Sequence, residues 1–133
     1  MDYKDLIMQI LREKQLSPSI DEDGDIVFKY QLKTLFFMTG EEQLERHFLH
    51  LFFNCFHDIE DGDEALELAI CNKVTRDTTY LKLFVMPEGK SVSASVELCF
   101  VDEASLREDI DTALRLISSV RPRYREVRAE FES

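Results

Sequence analysis

The chain of 133 residues carries a formal net charge of −11 and a pI near 4.7, with 44% hydrophobic and 32% charged residues. That length fits one domain, residues 1–133, whose single core buries about two-thirds of the unfolded surface, and the composition argues against disorder. The summed negative field repels phosphate backbones and anionic lipid, so neither nucleic acid nor a membrane is an expected partner.

Near the N-terminus Tyr3, Leu6, Ile7, Ile10 and Leu11 recur at the spacing of one helical face. The helix should stop before "SPS", because Pro18 disfavours helical geometry at the residue before it. Acids stand where a signal peptide would be basic and no unbroken apolar run follows, so the expected location is the cytoplasm. Cys55, Cys71 and Cys99 are far apart and odd in number, which suits reduced, buried thiols better than a disulfide framework.

The stretch "SIDEDGDIVFKY" puts four carboxylates around Gly24. It fails as a calcium loop: with Gly24 in the glycine position of an EF-hand, the place of the bidentate Glu falls on Tyr30. It reads instead as an Asp-rich turn feeding a strand in which Ile26, Phe28 and Tyr30 face one way. "TLFFMTG", residues 34–40, is the hairpin partner. The next segment, "QLERHFLHLFFNCF", is open between two readings, since Leu44, Phe48, Leu51, Phe52, Cys55 and Phe56 have helical spacing while residues 46–53 also suit a strand with two apolar faces.

A second helix follows in "DIEDGDEALELAICNKVTRD", with Asp63 as N-cap and Leu66, Ala69, Ile70 and Val74 along one face. "TYLKLFVM" and "SVSASVELCFV" flank "PEGK" as a second hairpin. In its later strand Val92, Ala94, Val96, Leu98 and Phe100 form a buried face, opposite a largely polar one. From Leu106 to Phe131 a seam of alternating four- and three-residue steps predicts a long helix, kinked near Arg121 by Pro122 or divided into two.

No motif for catalysis emerges. All four glycines sit in turn-like surroundings, which leaves none to cradle a phosphate, and no nucleophile motif surrounds the serines. Neither enzymatic activity nor a cofactor is expected. His47, His50 and His57, close to Cys55, are the only grouping that hints at a metal, and they supply the alternative reading of a small metal- or ligand-binding protein. Against it stands the simpler reading of surface histidines beside a buried thiol.

Two features point to contacts with other proteins. Residues 115–128 hold Arg115, Arg121, Arg123, Arg125 and Arg128 against the single acid Glu126. This is either a docking patch for an acidic partner, such as a second copy, or a solvated face whose cations complement a helix C-terminus. Of the ten phenylalanines, Phe36, Phe37, Phe48, Phe52, Phe53 and Phe56 are concentrated in one region; any that escape the core would mark an interface.

The order of elements, with "DEDGDIVFKY", "LFFMT", "ICNKVTRD" and "SVELCF" at their places, resembles the YbjN-like family of bacterial sensory-transduction regulators and its wider group of type III secretion chaperone-like folds. The resemblance implies an α+β fold, an antiparallel sheet flanked by helices in the order α-β-β-β-α-β-β-α, with a third strand at roughly residues 46–53. It also implies a non-catalytic adaptor that holds a protein partner and is often a homodimer. The residues expected at a partner or dimer interface are Phe53, Phe56, Arg121, Tyr124, Arg125 and Phe131.

Overall fold

In the computed structural model, which describes residues 2–133, the first apolar stripe forms α1 (Tyr3–Glu13). Asp2 caps it by accepting the Asp5 N–H at 2.8 Å, and Leu6, Ile7, Ile10 and Leu11 are its buried face. The acidic turn comes next. Asp21 Oδ1 accepts the N–H groups of Asp23 and Asp25, each at 2.9 Å, while Asp25 accepts the Thr39 N–H at 3.0 Å. Its carboxylates therefore fold the loop rather than face a cation.

That loop separates a two-residue strand, β1 (Ser19–Ile20), from β2 (Ile26–Tyr30), which turns back into β3 (Lys33–Met38) through Gln31 and Leu32. A short helix, α2 (Glu41–Glu45), precedes β4 (Phe48–Asp58). The strand implied for residues 46–53 thus exists, but it starts at Phe48 and runs on to Asp58. It continues past its expected end because a bulge lets it pair twice with the same neighbour: Phe53 faces Ala94 and His57 faces Val92, leaving three residues against Ser93.

The chain then forms α3 (Glu64–Asp77), the hairpin of β5 (Leu81–Val85) and β6 (Ser91–Cys99), α4 (Glu103–Ser118) and α5 (Val120–Glu132). The last seam is divided at Ser119, not at Pro122. Helix α5 restarts so that the proline falls in its first turn, where a missing N–H breaks no intrahelical bond. Asp63 stands at the N-cap position of α3 without capping through its side chain; its carboxylate is drawn to Arg128 instead, at 3.1 Å.

All six strands pair antiparallel in the order β1-β2-β3-β4-β6-β5. The expected α+β architecture holds, with β1 and α2 as additional short elements and two C-terminal helices. Every core strand residue comes from one side of the pleat: Ile26 and Phe28, Leu35 and Phe37, Leu49, Leu51 and Phe53, Leu81 and Leu83, and Val92 to Leu98 in steps of two. The buried residues of all five helices join this same cluster. The molecule is therefore two layers, helices on one side of the sheet and none in the core cluster on the other. Thr75 of α3 occupies the outer edge of β5, its hydroxyl donating to the Leu83 carbonyl at 3.2 Å and accepting the Leu83 N–H at 2.9 Å.

Candidate functional site

Side chains on the helix-free side of the sheet are not the polar set that usually covers a solvated antiparallel face. Val27, Phe36 and Phe52 stand in one cross-strand row, continued by Ser95 and Lys82. The Phe36 and Phe52 rings stack with centroids 5.1 Å apart. Beside them lie Met38, Phe48, His50 and, across β6, Phe84, all half-buried, and none of these apolar side chains belongs to the core cluster. Lys82 pairs with Glu97 at 2.9 Å, and Lys29 stands exposed at the β2 end of the same face. Ser93 and Ser95, expected on a polar exposed face, are fully buried, Ser93 because its hydroxyl accepts the Cys55 N–H at 2.8 Å under the bulge. The Ser95 hydroxyl is buried with no hydrogen-bond partner among the described residues.

On the helix side a polar cluster closes the gap between β4, α3 and α5. Glu67 is 0% exposed. Its carboxylate accepts the Tyr124 hydroxyl at 2.6 Å and the Arg128 guanidinium, while His57 Nε2 lies 3.2 Å away. Arg128 also donates to the Tyr124 hydroxyl at 2.7 Å and to Asp63. Burial, and after it the neighbouring carboxylate, push the Tyr124 phenol well above its ordinary range, so it stays a protonated donor. The cluster is a closed set of bonds with no reacting position left open, and it fixes α5 against the sheet.

The residues expected at an interface are thereby divided. Phe53 and Tyr124 are each 4% exposed, so neither offers open surface. Phe56 is half-buried between the Phe53 and Tyr124 rings. Arg121 lies over the Phe53 ring, 5.0 Å from its centroid, while Arg125 and Phe131 are exposed on α5, Phe131 at 46%. The structure brings Phe53, Phe56, Tyr124 and Arg121 together, as support for α5.

The histidines, by contrast, part company. His47 bonds through Nδ1 to the Phe100 carbonyl at 3.1 Å, His50 sits on the helix-free face, and His57 meets Glu67 on the other side. No group of three or more His, Cys, Asp or Glu residues is placed to hold a metal among the described residues. The expected buried thiol beside them is also displaced: Cys55 is exposed at the bulge, as is Cys99, and only Cys71 is buried.

The concentration of phenylalanines was legible in the sequence but not which of them escape the core, and Glu67 was not singled out at all. For the face a signal existed, since Phe36 and Met38 are apolar in the same strand as Leu35 and Phe37; for Glu67 nothing local marks it among the acids of α3. A family model named YbjN, described as "Putative bacterial sensory transduction regulator", matches residues 3–127. No curated protein matches the chain.

Proposed function

The chain belongs to the YbjN family, and on that premise we propose that it is a non-catalytic, cytoplasmic adaptor that holds a protein partner on the helix-free face of its sheet. One observation carries the reading: Val27, Phe36, Met38, Phe48, Phe52 and Phe84 all lie on the helix-free face outside the core, with the Phe36 and Phe52 rings stacked among them. Aromatic and Met side chains gathered on one face are what a protein interface uses, and a solvated sheet has no reason to keep them. Thr75 occupies the β5 edge at Leu83, which disfavours strand addition there. No helix among the described residues is long and apolar enough to cross a membrane, consistent with this use.

A second copy of the chain is the simplest partner; Arg125 and Phe131, exposed on α5, lie on the other side of the sheet and belong to no such pair. The acidic remainder of the molecule would select partners and set the rate of encounter. The test is a comparison of the native protein with the Phe36→Ser/Phe52→Ser variant in pull-downs from source-cell lysate and in light scattering. Loss of one stoichiometric partner, or of self-association, in a variant that folds normally supports the reading. Identical partners and mass for both proteins would end it.

A further inference from the structure

Toward α2, the helix-free side of the sheet holds a cleft of about 300 Å³ over β4 and β6. Phe48 and His50 of β4, Glu97 of β6 and Gln43 of α2 line it. His50 and Glu97 face each other across the two strands. The Phe48 and His50 rings are nearly parallel, 14° apart in plane with centroids at 6.1 Å, and both are half-buried, as is Glu97.

The polar groups of this cleft offer acceptors that the chain itself leaves without donors. Gln43 Oε1 is buried with no hydrogen-bond partner among the described residues, one of only two side-chain atoms there in that state. Such an atom costs free energy until a donor reaches it. Gln43 as a whole is half-buried on a short helix, so a turn of its long side chain brings the oxygen to a ligand. Glu97 holds Lys82 through Oε2 at 2.9 Å, which leaves Oε1 to accept from a second cation. Charge favours a cation as well. Glu42 and Glu45 stand exposed on α2, and the chain as a whole carries −11.

Arginine fits this set better than lysine. Its guanidinium is flat, packs against aromatic rings and carries five N–H donors in one plane, enough for a carboxylate and an amide oxygen together. An ammonium is a compact charge with no face to lay on Phe48 and His50. We propose that this cleft receives an arginine side chain of the protein docked on the helix-free face, packed on Phe48 and His50 and bonded to Glu97 and Gln43. The assignment rests on the docking reading of that face and adds the chemistry of the partner, a segment that carries arginine beside the apolar residues covering Phe36 and Phe52.

The test is heteronuclear NMR of the full chain, titrated at constant ionic strength with N-acetyl-arginine amide and, in parallel, with the corresponding lysine and citrulline amides. Saturable shifts of the Gln43 side-chain amide and of the Phe48, His50 and Glu97 N–H groups are expected with arginine. Binding should be weaker with lysine and absent with citrulline, which keeps the shape of arginine and loses its charge. Glu97→Gln should weaken arginine binding about tenfold. Glu88→Gln, at an exposed acid beyond the far end of β5, should leave it unchanged. No saturable shift, equal binding of citrulline, lysine binding as tightly as arginine, or equal binding by Glu97→Gln would each overturn the assignment. The probe needs no partner, so its failure is distinct from failure of the docking face, which the Phe36→Ser/Phe52→Ser comparison reads.

Discussion

Glu67 shows how far a single side chain can carry the placement of a helix. Its carboxylate has no exposed surface and is the common acceptor for Tyr124 and Arg128 of α5. Replacing it with Ala leaves a buried hydroxyl and a half-buried guanidinium without their acceptor, and breaking such a pair costs on the order of 3–5 kcal/mol. Urea unfolding of Glu67→Ala should show that loss, whereas Tyr124→Phe, which removes one donor and leaves the ion pair, should cost about 1 kcal/mol. Cysteine chemistry can be forecast at the same scale. Burial, and after it the Glu67 charge, push the Cys71 thiol up to about 12, whereas Cys55 and Cys99 are exposed. A thiol-specific reagent should titrate Cys55 and Cys99 in the folded protein and reach Cys71 only on unfolding.

Elements with one continuous pattern were legible in the sequence. The α1 stripe and the β6 alternation each declare their period over enough residues that no tertiary information is needed. The length of β4 was not legible, because it depends on a bulge whose partner, Ser93, lies 38 residues from Cys55. The break at Ser119 likewise follows from where the helix can restart before Pro122, a choice that the seam alone does not display.

In the β2–β3 hairpin, Leu32 is fully exposed at φ 65° beside Gln31 at φ 50°, where a primed two-residue turn favours Asn-Gly. Leu32→Gly should therefore stabilise the protein by about 0.5 kcal/mol, read by denaturant unfolding, since an L-residue is strained there and this side chain contributes no packing. Helices α1 and α4 are tied by Glu13 and Arg107 at 2.7 Å. The Arg107 hydrogen bond, and after it that of Gln9, hold the Glu13 carboxyl below the usual carboxylate range. A depressed carboxyl contributes its stability above the unfolded value and loses it as pH falls through the folded one. The melting temperature of Glu13→Gln should accordingly lie below that of the native protein at neutral pH, with the gap closing as pH falls through the lowered Glu13 value.

At the scale of the molecule, an α+β chain has placed every helix against one side of a six-stranded sheet and left aromatic side chains on the other. Family and fold class could be read from the order of elements. Which phenylalanines stay outside the core could not, because Phe36 and Phe52 alternate with Leu35, Phe37, Leu51 and Phe53 in strands apolar on both sides. Which side is covered is decided only when the helices pack.

The central claim is that this bare face holds another protein. A photo-crosslinking residue at Phe52, with one at Arg123 on the outer surface of α5 as control, tests it most directly when irradiated in source-cell lysate. A discrete adduct is expected from position 52, to one partner or to a second copy of the chain, and none from position 123. No adduct from position 52, or the same adducts from both, would contradict it.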